Sequence, residues 1–106
     1  MSKALDDIAA ERQRQISVEG WTPEHDDGHK PGDLVQAAVA YAAHAAVGAQ
    51  VAGHRPETYQ SVPPPRYWPW DREWWKPKDQ RRDLVRAGAL IVAEIERLDR
   101  AAAKQS

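Results

Sequence analysis

Leu84-Val85-Arg86-Ala87-Gly88-Ala89-Leu90-Ile91-Val92-Ala93-Glu94-Ile95-Glu96-Arg97-Leu98 is the stretch that decides the fold class. Leu84, Val85, Gly88, Ile91, Val92, Ile95 and Leu98 recur at the spacing of one helix face, with charged residues between them. Asp79 stands where a helix of this kind takes its N-cap, and the periodicity runs to about Ala102. No segment of the chain sustains the period-2 alternation of a half-buried strand.

Upstream, Asp33 is placed to cap a second helix that reaches about Gln50 and carries Ala37, Ala38, Ala40, Ala42, Ala43, Ala45 and Ala46. Side chains this small admit a neighbouring helix closely, so this helix is expected to be central, with Tyr41 and His44 on one side. Residues 3 to about 18 form a third amphipathic helix, with Leu5, Ile8, Ala9, Arg12 and Ile16 in register and Gly20 as its stop. Between these, residues 20–32 contain Gly20, Pro23, Gly28, Pro31 and Gly32 and are expected to be loop. Residues 53–69 carry Gly53, Pro56, Pro63, Pro64, Pro65 and Pro69, which predicts a stiff extended connection. Asp71 could then cap one turn over Arg72–Trp75, halted by Pro77. The expected fold is all-α: a single domain over residues 1–106, a small bundle of three long helices with a proline- and tryptophan-rich irregular excursion.

Composition narrows the function classes. Hydrophobic content of 42% and charged content of 29% fit a folded domain. The chain has no cysteine, which excludes disulfides, thiolate catalysis and sulfur-ligated metals. No apolar run approaches the ~20 residues of a membrane span, and no leader opens the chain, so a cytoplasmic protein without membrane contact is expected. A net charge of -1 speaks against a general binder of nucleic acid polymers. That charge is unevenly spread: residues 66–86 hold seven Lys/Arg against four Asp/Glu, and residues 19–33 hold five Asp/Glu against one Lys.

The basic region contains Arg66-Tyr67-Trp68-Pro69-Trp70-Asp71-Arg72-Glu73-Trp74-Trp75-Lys76-Pro77, with four of the five tryptophans. Indoles interleaved with cations suit a planar, anionic ligand, the rings stacking on a base and the cations meeting phosphate. A domain without phenylalanine also needs aromatic core, and any one of these tryptophans could serve there, but not all four from so short a segment. Arg81, Arg82 and Arg86 sit in the first two turns of the last helix, where free amides and guanidinium forks favour phosphate; the alternative is a solvated face balancing Asp79 and Asp83. On this reading Tyr67, Trp68, Trp70 and Trp74 stack on the base or wall the pocket, while Lys76, Arg81, Arg82 and Arg86 meet phosphate. Trp21, with Glu24, Asp26 or Asp27, closes the opposite side and reads ribose hydroxyls or base amines. Arg82→Glu is then expected to abolish binding without moving the melting temperature by more than a few degrees.

Two enzymatic alternatives stand beside this reading. Glu24-His25-Asp26-Asp27-Gly28-His29 could ligate a divalent metal, with only His44 and His54 elsewhere to help, or could be a solvated turn capped by its Asp side chains. Glu96 and Asp99 make one Glu-x-x-Asp pair of the kind all-α nucleotide pyrophosphohydrolases use, but the facing helix has no acid after Asp33, so these acids read as a solvated face paired with Arg97 and Arg100. No nucleophile has an adjacent base, and neither a catalytic residue nor a resident metal or cofactor is expected. A protein–protein inhibitor using the tryptophans as an interface is a further alternative. The alanine-rich helix and exposed tryptophans also suit a homodimer or higher homo-oligomer.

Val18-Glu19-Gly20-Trp21, followed by Asp26-Asp27 and Lys30, resembles the signature of ryanodine-receptor (RyR) repeat domains, with Trp68-Pro69-Trp70-Asp71, Arg81-Arg82-Asp83 and the helix from Leu84 in corresponding places. The alanine-rich helix and the proline connector stand as an insertion relative to that pattern. Glu19-Gly20-Trp21-Thr22-Pro23-Glu24-His25-Asp26-Asp27 and Trp68-Pro69-Trp70-Asp71…Trp74-Trp75-Lys76-Pro77 also resemble a family of small phage and prophage proteins. Together the resemblances imply an RyR-like fold binding a nucleotide-derived signal, such as a cyclic ADP-ribose isomer or a cyclic oligonucleotide. They further imply an anti-defence sponge acting in the cytoplasm of an infected or lysogenic bacterial host.

Overall fold

Ser2 opens the first helix, α1 (Lys3–Ser17): its hydroxyl accepts from the Leu5 amide at 3.2 Å and satisfies one of the free amides of the first turn. The computed structural model describes residues 2–28, 30, 32–50 and 55–105, with side chains at all of these except 48–50. Gly20, at φ +77°, turns the chain out of α1, and the Trp21 amide returns to the Gln15 carbonyl at 2.9 Å. Residues 20–32 are not simply loop. Thr22 accepts from the His25 amide at 3.2 Å and Pro23 presets the first turn of a short helix, α2 (Pro23–Asp27).

Helix α3 (Asp33–Gln50) begins at the residue expected to cap it. The proline-rich connection also departs from the extended form, because Pro56 starts another short helix, α4 (Pro56–Ser61). A single 3₁₀ turn follows at Arg72–Trp74; Asp71 takes its cap position without a side-chain cap bond. Asp79 does cap the last helix, α5 (Gln80–Gln105), accepting from the Arg82 amide at 2.8 Å. The fold is all-α, and among the described residues there is no strand. No helix among them is long and apolar enough to cross a membrane.

The middle position belongs to α5, which packs against α3 on one side and α1 on another and also receives α2. Gln80 donates to the Ala45 carbonyl at 3.3 Å, so the start of α5 lies beside the second half of α3 and the two run antiparallel. Ala37, Ala38, Ala40 and Ala45 of α3 and Ala87, Ala89 and Ala93 of α5 are buried with Leu34 and Leu90. Small side chains on both helices permit the close approach that the sequence suggested for α3.

Two apolar stripes are placed differently from their sequence reading. On α5 only Val85 of the expected series is buried, whereas Leu84, Ile91, Ile95 and Leu98 are exposed. On α1 the buried residues are polar, Glu11, Arg12 and Gln15, while Leu5 and Ala9 face solvent. Charge pairing is what lets α1 turn a polar face inward. Arg12 donates to Asp26 Oδ2 at 3.0 Å, to Glu96 Oε1 at 3.1 Å and to the Trp21 carbonyl at 3.2 Å, tying α1, α2 and α5 together.

Candidate functional site

The tryptophan segment divides its rings between two sides. Trp68 and Trp75 are core: Trp75 stacks on Tyr41 with centroids 4.9 Å apart, and Trp68 meets the Tyr41 edge at 5.5 Å. Their indole N–H groups are satisfied by the Asp71 carbonyl at 3.1 Å and the Val62 carbonyl at 2.9 Å. Trp70 is half-buried and Trp74 more exposed, and both turn to Trp21, with centroid separations of 5.5 and 6.4 Å. Pro69 breaks regular structure between Trp68 and Trp70, and the 3₁₀ turn Arg72–Trp74 separates Trp70 from Trp74 and Trp75.

Trp21, Trp70 and Trp74 form one wall of an open groove of about 640 Å³, completed by Glu19, His25, Pro69 and Asp71. That volume is in the range of small-molecule sites. Lys76 holds its ammonium 5.6 Å from the Trp74 ring centroid, at the edge of the groove. Beyond Trp21 and Trp74 the groove narrows to a cleft of about 30 Å³ that also touches Glu11, Arg14, Gln15, Lys76 and Arg86. Glu11 and Arg14 in turn line a second open recess of about 390 Å³ with Lys78, Arg81 and Arg82. The aromatic groove and this charged recess, which Asp7 and Asp79 also line, are therefore neighbours with Glu11 and Arg14 between them.

The arginines of that recess already have partners. Arg82 pairs with the buried Glu11, Arg81 with Asp7 at 2.9 Å, and Arg14 with Glu11 at 2.8 Å and Glu19 at 2.9 Å. Burial acts to raise the Glu11 carboxyl, but hydrogen bonds and charge from Arg14 and Arg82 outweigh it and hold the carboxyl below its ordinary value. Arg86 donates to the Lys76 carbonyl, stands 3.5 Å from Asp83 and lies over the Tyr41 ring. Gln15 donates to Glu11 at 3.1 Å, and since an ionised Glu11 only accepts, this fixes the amide so that its buried oxygen points away from Glu11.

The residues singled out from sequence therefore separate into groups. Trp21, Trp70 and Trp74 line the groove, Lys76 and Arg86 its narrow end, and Arg81 and Arg82 the basic recess. Trp68 belongs to the core instead, and Tyr67 is exposed without lining the groove. Asp26 is buried against Arg12, Asp27 pairs with Arg100 at 2.7 Å, and Glu24 is exposed, so none of these acids lines the groove. Glu19 and Asp71 supply the groove's carboxylates, and sequence reading passed over them although each is next to or near a tryptophan already singled out. Arg14 and Lys78 were likewise missed; the signal for Arg14 was its i, i+3 spacing from Glu11 on α1, and Lys78, just before α5, carried none.

The metal reading of the His25-Asp26-Asp27 segment depends in part on His29 and His54, which lie outside the described residues. Among the described residues no cluster of three or more His, Asp or Glu side chains is arranged to hold a metal ion. Glu96, of the Glu-x-x-Asp pair, accepts from Arg12, and Glu94 pairs with Arg97. Comparison of the chain with family models, with curated proteins and with solved structures gives no match.

Proposed function

We propose that this domain binds a nucleotide-derived small molecule and holds it without turning it over. The reading is carried by one observation: Trp21 and Trp74 line both the tryptophan groove and a narrow cleft that holds Arg14, Lys76 and Arg86, and Arg14 also lines the neighbouring recess of Lys78, Arg81 and Arg82. A base stacks against the indoles, worth roughly 1–3 kcal/mol for each base so held. Glu19 and Asp71 accept hydrogen bonds from ribose hydroxyls or base amines. Phosphate lies toward Lys76 and the arginines, drawing on guanidiniums whose carboxylate partners keep them oriented. Within this proposal the RyR-like and phage-protein resemblances of the Glu19-Gly20-Trp21 and Trp68-Pro69-Trp70-Asp71 segments suggest a sponge for a cyclic nucleotide or cyclic ADP-ribose signal in an infected host.

The test is a thermal-shift and calorimetric screen of the purified chain against mononucleotides, cyclic di- and trinucleotides, NAD and linear and cyclic ADP-ribose isomers, with mass spectrometry of each bound compound. A shift of several degrees with the compound recovered intact, lost in Trp74→Ala and weakened in Lys76→Glu, is expected. Recovery of a cleaved compound would replace sequestration with catalysis, and no shift from any compound would reassign the groove to a protein partner.

A further inference from the structure

Four large apolar side chains of α5, Leu84, Ile91, Ile95 and Leu98, face away from the core that takes Val85 and Leu90. Leu84 and Ile91 are 48% exposed and Ile95 and Leu98 52%, while Ala87, Ala89 and Ala93 are among the residues buried on the same helix. With Gly88 and Ala102, these four step along the helix at alternating intervals of four and three residues, the spacing of a helix-pairing seam. Ile8 of α1 lies over Gly88, 2.9 Å from where a Cβ would stand, and fills the seam at its one bare position.

Helix α3 carries a parallel series, Val35, Val39, Ala42 and Ala46, in which both valines are exposed. At 100° per residue each series lies roughly 90° around its helix from the residues that join α3 to α5. Because α3 and α5 run antiparallel, both series emerge on the same side of the pair. The tryptophan segment covers the opposite side: Arg86, at the narrow end of the groove, is about 160° around α5 from the seam.

We propose that this open face pairs with a second copy of the chain in a two-fold dimer centred on Ile91. The seam is symmetric about that residue, with Leu84 seven positions before it and Leu98 seven after. Antiparallel pairing of two α5 helices therefore sets Ile91 against its own symmetry mate and Leu84 against Leu98 of the second copy. The same operation brings Arg81, which pairs with Asp7 in its own chain, toward Asp99 of the second copy, a contact of opposite sign at the rim. The exposed apolar side chains of α5 and α3 present roughly 500 Å² per chain, at the upper end of what monomers leave uncovered. With a polar rim this reaches the order of 800 Å² per partner typical of a stable interface. Both tryptophan grooves stay open in such a dimer, so the pairing holds or fails independently of the ligand reading.

Sedimentation equilibrium of the full chain from low to high micromolar concentration tests it. The wild type is expected to be a dimer, and Ile91→Glu to weaken association by at least a hundredfold while keeping its helical circular dichroism. Since the chain has no cysteine, Ile91→Cys provides a second measurement that does not depend on the charged variant folding. Mild oxidation is expected to link it covalently into dimers, and a Gln13→Cys control on the exposed side of α1 is not. A monomeric wild type across the range would overturn the proposal and leave the face to a different partner. A dimer indifferent to Ile91→Glu that Ile91→Cys fails to trap would overturn it equally, by placing the contact elsewhere.

Discussion

The Tyr59 hydroxyl donates to the Asp83 carboxylate at 2.6 Å, and Asp83 has no solvent exposure. This bond fastens α4 to the start of α5, helped by His44, whose ring Nε2 donates to the Tyr59 carbonyl at 2.8 Å. Asp83 also accepts from the Lys78 amide at 3.1 Å. Tyr59→Phe removes one of few partners of a buried carboxylate and is expected to destabilise the domain by about 1–3 kcal/mol in urea denaturation. A change below a few tenths would mean that α4 is not held through this bond.

Arg12 has a heavier structural role. Arg12→Met takes the guanidinium from the almost fully buried Asp26 and from Glu96, and about 3–5 kcal/mol of stability should be lost with it. Arg12→Lys is expected to recover little, because one ammonium does not reproduce a fork that reaches two carboxylates and a carbonyl. Chemical denaturation of the two variants side by side checks both statements.

Neighbouring tryptophans should behave oppositely. Trp75→Ala empties a core site stacked on Tyr41 and is expected to cost about 3–5 kcal/mol. Trp74→Ala changes a groove wall and should leave the free protein's melting temperature within a few degrees. Equal destabilisation by both would place Trp74 in the core as well.

Arg82→Glu looks from sequence like a variant that affects binding alone. In the fold Arg82 pairs with the buried Glu11, so the substitution sets two carboxylates against each other. A clear fall in melting temperature is expected, partly offset in the double variant Arg82→Glu/Glu11→Arg. Arg81→Glu, whose partner Asp7 is more exposed, should move the melting temperature less.

Acid should unfold the domain through the same carboxylates. Glu11 is held below its ordinary value by Arg14 and Arg82 against the opposing effect of burial, Asp7 by Arg81 and Lys3, and Asp27 by Arg100. A lowered folded-state pKa means the unfolded chain binds protons first. Their stabilisation is therefore complete above the ordinary carboxylate range of about 4 and is lost as pH falls through the depressed values. Asp83 works in the other direction: burial raises it, so its contribution declines as pH rises from that range through its raised value. Urea midpoints measured from pH 6 to pH 2.5 should fall at the acid end, with a shallower slope in Glu11→Gln.

The helical frame was legible because caps and breakers are local. Asp79 and Gly20 act within a few residues of where they stand, and α5 begins and α1 ends where they indicate. The short helices α2 and α4 were hidden by their prolines, which mark breaks in a helix interior but serve as first residues at Pro23 and Pro56. The inward face of α5 could not be read from periodicity. Hydrophobic spacing shows that a stripe exists, not which neighbour covers it, and here α3 and α1 flank the helix on other sides. At the candidate site, composition located the tryptophans, but their division between core and groove depends on Tyr41 and Trp21, distant in sequence.

That division has a spectroscopic consequence. Trp68 and Trp75 sit in the apolar core, whereas Trp21, Trp70 and Trp74 line the groove beside carboxylates and an ammonium. Intrinsic emission should therefore contain a blue, shielded component and a redder one reached by aqueous quenchers. A molecule occupying the groove would suppress only the redder component, so the chain carries a label-free reporter that separates occupancy from unfolding.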